Sequence, residues 1–178
     1  MSIVLIHIGD SLPDYFWVCV DQIRRYFDGD VYTVISSKID CKEKSSIYNT
    51  YTVPVEDFLE SKTVKNFDKV DIVKKQGEFW SFAFKRLFIL EEVIKRFELE
   101  NVIHIENDVL IYGDPRELFF PKENYVYATP VGPKYTTYAY MYIPNLKSIE
   151  ILNNANLTIL SRGYEALNKQ YGEDNVNE

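Results

Sequence analysis

Two carboxylates interrupt an apolar stretch in the middle of the chain. Glu106 and Asp108 flank Asn107, with the apolar residues 102–105 before them and 109–112 after them. Acidic side chains are rarely buried unless they are paired or bind a metal. Carboxylate oxygens are preferred ligands of Mg²⁺ and Mn²⁺, which also take waters and phosphate oxygens. We call Glu106, Asn107 and Asp108 the acidic triplet, and it predicts a divalent-cation site at the end of a core strand.

The spacing within the acidic triplet favours a shared ligand. In an extended segment, side chains two residues apart point to the same face, so His104, Glu106 and Asp108 are expected together, with Asn107 opposite. A cation held there could neutralise charge that develops on a leaving diphosphate. A surface turn between two hairpin strands is a competing interpretation, although the glycine typical of two-residue hairpin loops is missing. An iron site would need a second histidine, for which only His7 is present.

Alternating strands and helices precede the acidic triplet. Residues 3–8 predict a buried strand, residues 16–27 an amphipathic helix, and residues 31–35 a second strand. Such a strand–helix–strand opening is typical of parallel α/β sheets, which bind ligands at the carboxyl ends of their strands. The turns Gly9-Asp10 and Ser36-Ser37 directly follow the two strands, so we expect them close to the acidic triplet.

The rest of the chain continues the pattern. A helix over residues 81–97, with Ser81 as its N-cap, leads into the strand that carries the acidic triplet. Residues 62–77 predict a surface loop or helix. The remaining predicted elements are an edge strand at 51–55, a helical turn from Asp114-Pro115, strands at 125–129 and 138–143, and a helix over 146–164 interrupted by the asparagines of 153–156. Together they predict an α/β fold with a mostly parallel sheet and helices on both faces.

Composition narrows the classes of function. A chain of 178 residues is expected to form a single domain, and its net charge of −7 argues against a nucleic-acid-binding surface. No stretch approaches the roughly 20 apolar residues that a membrane span needs. Cys19 and Cys41 fit no zinc spacing, and isolated thiols favour a reducing, cytoplasmic location. The acidic tail at 171–178 lacks a terminating element, which favours a truncated chain or the N-terminal domain of a longer one.

The chain resembles the GT-A-fold, nucleotide-sugar-dependent glycosyltransferases. The resemblance lies in the strand, glycine-containing turn, helix and strand of the opening, a helix bearing Lys85-Arg86, and the run Val-Ile-His-Ile-Glu-Asn-Asp-Val-Leu-Ile. The acidic triplet stands where these enzymes carry their DxD motif, with Glu106 in place of the first Asp. The resemblance covers roughly two-thirds of the chain. It implies a GT-A-like, Rossmann-related sheet and metal-dependent transfer of a sugar, with UDP-sugar as the expected donor, to a hydroxyl acceptor such as a glycan.

The resemblance also implies roles for individual residues. Asp108 would bind Mn²⁺ or Mg²⁺ directly, and Glu106 would contact the ribose or a metal-bound water. The other residues implied in nucleotide binding are Gly9, Asp10, Ser36, Lys85, Arg86 and Asn107, with Arg86 preferred to Lys85. An inverting enzyme would need a base, for which Asp174 is our candidate among the acids of the tail, whereas a retaining enzyme needs none.

Several alternatives remain. A non-catalytic module of the same fold could bind nucleotide or glycan, whereas a nucleotidyltransferase is disfavoured because a glycine-rich basic phosphate loop is absent near the N-terminus. Lys85 and Arg86 are equally explained as solvated helix charges, and both histidines are expected in the core. The alternating Tyr138, Tyr140 and Tyr142 would share one strand face, where they could stack on an acceptor sugar or pack in a half-buried sheet.

Overall fold

A sheet of six strands lies at the centre of the computed structural model, which describes residues 1–70, 78–118, 124–132 and 135–163, with residues 166 and 169 beyond them. The strands are β1 (Ser2–Ile6), β2 (Asp30–Ile35), β3 (Tyr51–Pro54), β4 (Val102–Ile105), β5 (Tyr127–Val131) and β6 (Tyr135–Ile143). The helices in the described ranges are α1 (Phe16–Tyr26), α2 (Lys42–Ile47), α3 (Glu56–Leu59), α4 (Lys62–Asp68), α5 (Glu78–Arg96), α6 (Pro115–Leu118) and α7 (Leu146–Leu160).

The strand order is β3-β2-β1-β4-β6-β5. Strand β1 pairs in parallel with both β2 and β4, and β2 pairs in parallel with β3. Strand β6 runs antiparallel to both β4 and β5. The chain therefore builds outward from β1 to β3 and then returns to the other side of β1. A reversal of this kind opens a crevice at the carboxyl ends of the two strands concerned, β1 and β4.

Helices cover both faces of the sheet. Along β1, Val4 and Ile6 contribute to a core that also contains residues of α3, α4, α5 and α7. Ile3 and Leu5 point the other way, into a second core with α1. All four side chains are at most 1% exposed, and strands buried on both faces read as continuous apolar runs. The predicted mixed α/β fold with a mostly parallel sheet and helices on both faces is confirmed.

The start of α5 differs from the prediction. The helix begins at Glu78, so Ser81 lies within its first turns and is not its N-cap. Serine is favoured at N-caps but is also tolerated inside helices, so the residue type alone could not locate the boundary. The segment preceding the helix, residues 71–77, is outside the described ranges. The part of residues 62–77 that is described contains α4, capped by the hydroxyl of Ser61.

The asparagines of α7 do not interrupt it. The helix runs without a break from Leu146 to Leu160 and therefore also ends before the predicted residue 164. Asn153 is buried, and its amide donates to the Leu87 carbonyl at 3.0 Å and to the Glu91 carboxylate at 2.8 Å. Asparagine disfavours helices because its side chain competes for nearby backbone groups. Here the side chain bonds to α5 instead, which a reading of the local sequence could not detect.

The alternation of tyrosines along β6 is broken. Ala128 of β5 pairs with Met141, but Thr129 pairs with Thr137, so β6 contains extra residues between the two pairs. Such a bulge changes the face to which the following side chains point. Tyr138 packs against the core on the α5 side, whereas Tyr140 and Tyr142 pack on the α1 side. The prediction that the three tyrosines share one face is therefore wrong.

Candidate functional site

The turns after β1 and β4 meet at the carboxyl edge of the sheet. His7 follows β1 directly, and its amide donates to the Val34 carbonyl of β2 at 2.9 Å. Glu106 follows β4, and its amide donates to the Ala139 carbonyl of β6 at 2.8 Å. Because β1 and β4 are parallel neighbours, these backbone bonds place His7 and the acidic triplet side by side.

The side chains of the acidic triplet have three different environments. The Glu106 carboxylate forms an ion pair with Arg86 of α5 at 2.7 Å, and the two side chains are only 24% and 16% exposed. Asn107 is buried and donates its Nδ2 to Nδ1 of His7 at 3.0 Å. Asp108 is exposed to solvent. The triplet thus presents one exposed carboxylate, while its other two side chains are held by neighbouring elements.

The chain turns at the acidic triplet and does not extend through it. The Val109 amide donates to the Glu106 carbonyl at 3.1 Å, and residues 109–112 form no strand. Strand β4 pairs with β1 and β6 instead. The hairpin interpretation is therefore wrong, and the period-two argument that joined Asp108 to Glu106 does not apply beyond Ile105. The backbone folds back towards α1, where Sγ of Cys19 donates to the Val109 carbonyl at 3.1 Å.

Burial dominates the electrostatics around Arg86. It raises the pKa of Glu106, and Asp108 adds to the rise, although the Arg86 charge opposes it. Burial also lowers the pKa of His104 to about 4, with a further contribution from Arg86. His104 is a core residue, as predicted. It is buried, and its Nδ1 donates to the Val4 carbonyl at 3.0 Å. His7 likewise has a lowered pKa, mainly from burial, so both shifts favour the neutral imidazole.

His7 lies at the site, whereas the sequence suggested a core residue. It lines a cavity of about 140 Å³, which we call the histidine recess. The recess is lined by Ile6, His7, Ile8, Tyr15, Phe82, Arg86 and Asn107. The imidazole is half-buried, and its Nε2 lies 2.8 Å from the Ser11 carbonyl oxygen. The predicted strand extended to residue 8 and enclosed His7, but β1 ends at Ile6. A polar residue near the carboxyl end of a buried parallel strand is the signal that could have identified His7, because ligands bind at such ends.

The turn after β1 contains two of the predicted nucleotide-binding residues. A Cβ on Gly9 would lie 3.0 Å from Nε2 of His7, closer than an ordinary van der Waals contact, so glycine leaves room for the imidazole. Asp10 forms an ion pair with Lys38 at 2.7 Å, and both side chains are largely exposed. This pair joins the turn after β1 to the loop after β2.

Ser36 is placed at the same edge but its hydroxyl is engaged. It donates to the Glu56 carboxylate at 2.7 Å and accepts from the Lys38 amide at 3.3 Å. The Ser37 amide also donates to Glu56, at 3.0 Å. Burial opposes ionisation of Glu56, but the hydrogen bonds from Ser36 and Ser37 outweigh it and lower the pKa of this carboxyl. Ser36 therefore shapes the loop after β2.

A larger depression lies beside this loop, at the carboxyl ends of β2 and β3. We call it the β2–β3 groove, and its volume is about 630 Å³. Its polar lining consists of Ser36, Ser37, Lys38, Asp40, Lys42, Ser45 and Thr52. Thr52 bonds to Thr33 at 3.0 Å and to Ser45 at 2.5 Å, which ties β2, β3 and α2 together beneath the groove. The edge of the sheet thus offers two recesses of different size.

The structure separates the two basic candidates on α5. Arg86 points to the acidic triplet, whereas Lys85 forms an ion pair with Asp68 of α4 at 2.7 Å. Lys85 is therefore not brought to the site with the other predicted residues. Asp174, the candidate base, lies outside the described residues.

The described side chains near the acidic triplet could supply only part of the ligands that a divalent cation needs. Within the described ranges, no three or more His, Cys, Asp or Glu side chains are grouped so that they could hold a metal. Mg²⁺ commonly takes only one or two protein carboxylates and completes its shell with waters and substrate phosphates. Asp108 offers an exposed carboxylate of this kind, while Glu106 is held by Arg86. The residues present therefore fit a cation that arrives with a phosphate ligand.

Comparisons with known proteins give a match at the level of fold. No family model and no curated protein matches the chain. The solved structure "PaToxG Glycosyltransferase" superposes with a TM-score of 0.60 at 15% identity, covering 99% of this chain and 66% of that one. Because this chain spans less than two-thirds of the PaToxG chain, the match concerns part of that protein.

Two further solved structures overlap less well. The glycosyltransferase GlyE of Streptococcus pneumoniae TIGR4 gives a TM-score of 0.48 at 16% identity, covering 98% of this chain and 43% of that one. A cytidylyltransferase from Leptospira borgpetersenii gives 0.46 at 9% identity, covering 86% of this chain and 63% of that one. At 15% identity, the likeness to PaToxG shows that the chain shares the fold of that glycosyltransferase structure.

Proposed function

We propose that the protein is a metal-dependent glycosyltransferase of GT-A type, with the acidic triplet in the place of the DxD motif. It transfers a sugar from a nucleotide diphosphate donor, with UDP-sugar as the first choice, to a hydroxyl acceptor such as a glycan. The observation that carries the proposal is the convergence of Arg86, His7 and the acidic triplet where β1 and β4 end side by side. The fold shared with PaToxG supports it.

The charges at this crevice suit a leaving diphosphate. Asp108 would hold Mn²⁺ or Mg²⁺ with the phosphate oxygens, and the cation would supply neutralisation of the charge on the leaving group. Arg86 would contribute a second positive charge, because its planar guanidinium can bind phosphate while Glu106 keeps it oriented. Asn107 would fix the turn between the two carboxylates. A base for an inverting reaction would come from the tail, with Asp174 as the candidate.

The nucleoside would lie towards the β2–β3 groove. This groove is the larger of the two recesses, and the Asp10–Lys38 ion pair connects its edge with the turn after β1. Ser36 lines this groove, and Gly9 and Asp10 would contact the nucleoside from the adjoining turn after β1. Hydroxyl groups of a ribose could then bond to Asp10, Ser37 or Lys38.

Calorimetric titration with UDP, with and without Mn²⁺, tests the proposal. We expect binding that needs the metal and that weakens about tenfold or more in Asp108→Asn, because a metal ligand is lost. Glu100→Gln is the matched control, since it removes an exposed carboxylate just before the opposite end of β4. Absence of binding to both UDP and GDP, or binding indifferent to metal and to Asp108→Asn, contradicts the proposal.

Turnover must be measured separately from binding. Release of UDP from UDP-sugars, in the presence of Mn²⁺, distinguishes an enzyme from a module of the same fold that only binds nucleotide. We expect release that is abolished with EDTA. Metal-dependent binding without any release would support the non-catalytic alternative.

A further inference from the structure

A hydrogen-bonded chain connects the turns after β1 and β4. The Ser11 carbonyl oxygen lies 2.8 Å from Nε2 of His7, and Nδ1 of the same ring lies 3.0 Å from Nδ2 of Asn107. His7 therefore contacts its own turn through one nitrogen and the acidic triplet through the other. The imidazole thus connects the backbone of the turn after β1 to a side chain of the turn after β4.

The partners of the ring define its protonation. A backbone carbonyl can only accept, so Nε2 must carry a hydrogen. The amide nitrogen of Asn107 can only donate, so Nδ1 must present its lone pair. Turning the Asn107 amide over would place its oxygen against that lone pair and would be repulsive unless the ring were charged. The neutral ring with hydrogen on Nε2 is the form in which both contacts are hydrogen bonds.

We infer that His7, as the neutral Nε2–H imidazole, is a positioning residue that holds Asn107 and thereby sets the turn that presents Asp108. The catalytic meaning of this role rests on the proposed function, whereas the protonation of the ring does not. Glu106 is held by Arg86 on one side of the turn and Asn107 by His7 on the other. Asp108 is then the triplet residue left exposed to bind a ligand.

The surroundings of His7 favour this state. Phe16 of α1 packs edge-on against the ring with centroids 6.4 Å apart, and Gly9 leaves room for Nε2. Arg86 lines the same recess, so its positive charge opposes a second proton on the ring. A ring fixed by packing and by two hydrogen bonds can orient its partner, as outer residues orient the ligands of metal sites.

Two substitutions separate the two hydrogen bonds. In His7→Asn, the side-chain oxygen can take the position of Nδ1 and still accept from Asn107. In His7→Gln, the amide nitrogen can take the position of Nε2 and still donate to Ser11. We expect His7→Gln to weaken Mn²⁺-dependent UDP binding about five- to tenfold, the effect of one lost hydrogen bond. His7→Asn should recover most of that loss, and Asn107→Ala should behave like His7→Gln.

Nitrogen NMR of the histidine rings provides a test that needs no ligand. Spectra of the isotope-labelled protein at pH 7 should show His7 with a proton on Nε2 and a hydrogen-bonded, unprotonated Nδ1. In Asn107→Ala, the Nδ1 resonance should shift towards that of a free lone pair while Nε2 stays protonated. His104, whose Nδ1 donates to Val4, gives the opposite tautomer as an internal control.

Failure of the inference about His7 can be distinguished from failure of the proposed function. If the wild type binds no nucleotide, the proposed function fails, and the NMR spectra still decide the state of His7. A proton on Nδ1 of His7, or a charged ring at pH 7, overturns the inference. So does a His7→Gln variant that is folded and binds UDP as tightly as the wild type, or a His7→Asn variant that shows no recovery.

Discussion

The two recesses at the carboxyl edge of the sheet use their polar groups differently. In the histidine recess, of about 140 Å³, Arg86 is paired with Glu106 and Asn107 with His7. The β2–β3 groove, of about 630 Å³, is lined by hydroxyls and by exposed lysines. The polar groups of the first are mostly withdrawn from solvent and bond to one another, whereas Ser37, Lys38 and Lys42 of the second are exposed to solvent. In the proposed function, the first would position the reacting end of the donor, and the groove would hold its nucleoside.

One glutamate beside each recess shows the same contrast. Burial raises the pKa of Glu106 even though Arg86 lies 2.7 Å away. Glu56 has a lowered pKa, because hydrogen bonds from Ser36 and Ser37 outweigh burial. Donors aimed at a carboxylate stabilise its charge, and burial destabilises it. The charged form of Glu106 is therefore stabilised by one side chain of α5, Arg86, whereas the charged form of Glu56 is stabilised by hydrogen-bond donors of the loop after β2.

We expect the removal of Arg86 to have the largest effect on the free energy of unfolding. In Arg86→Ala, Glu106 would be left half-buried without its partner, and we expect a loss of about 3 kcal/mol in the free energy of unfolding. Lys85→Ala is the matched control, because the adjacent Lys85 pairs with the more exposed Asp68. It should lose about 1 kcal/mol or less. Urea unfolding measures both, and equal losses would show that the Arg86–Glu106 pair is no more than a surface contact.

The two cysteines report on the turn after β4 and on the β2–β3 groove. Cys19 packs beneath the acidic triplet at 1% exposure, and burial raises the pKa of its thiol to about 12, whereas Cys41 lines the β2–β3 groove at 9% exposure. Because thiolates are the reactive form, we expect Cys41 to react with a maleimide about tenfold or more faster than Cys19. UDP with Mn²⁺ should slow the labelling of Cys41.

The variants Cys19→Ala and Cys41→Ala identify which thiol is labelled. Faster reaction of Cys19 would show that the turn after β4 opens in solution. Nucleotide binding that leaves the labelling rate of Cys41 unchanged would place the nucleoside outside the β2–β3 groove.

Loosening the loop after β2 should have a smaller effect. In Glu56→Gln the side chain keeps its shape but loses the charge that accepts from Ser36 and Ser37. We expect a loss of about 1 kcal/mol in the free energy of unfolding, because charged acceptors make the stronger hydrogen bonds. Glu60→Gln, at a largely exposed ion pair with Lys65, should cost less. Thermal unfolding of the two variants measures the difference, and equal effects would contradict a special role for Glu56.

We expect the smallest effect in the pH dependence of the stability that Glu56→Gln loses. The pKa of Glu56 is lower in the folded protein than its ordinary value of 4.5. Its contribution to stability is therefore complete above the unfolded pKa and disappears as the pH falls through the folded one. The difference between wild type and Glu56→Gln in urea midpoint should be constant from pH 7 to pH 5 and should shrink below pH 4. A difference that grows at low pH would show that the pKa is raised.

The elements of the fold could be recognised from residue order because their signals are local. The apolar runs of β1 and β4 and the helical stripe of α5 indicate buried elements. The order of these elements then predicts a parallel sheet whose strands end at the same edge. Gly9, Ser36 and the acidic triplet could therefore be placed at one edge of the sheet from the sequence. Tertiary contacts override local preference at Asn153, whose buried amide bonds to α5, so the predicted interruption of α7 there was wrong.

The directions of side chains at the site depend on contacts between residues far apart in the chain. The sequence shows two adjacent cations on α5, but packing turns Arg86 to Glu106 and Lys85 to Asp68. It shows a histidine within the first apolar run, but the ring bonds to Asn107, 100 residues further along the chain. Local patterns indicate which segments form buried strands and their order along the chain, since the apolar residues of a strand lie within its own short segment. Which polar groups then meet depends on packing of the whole sheet, and that information is not local.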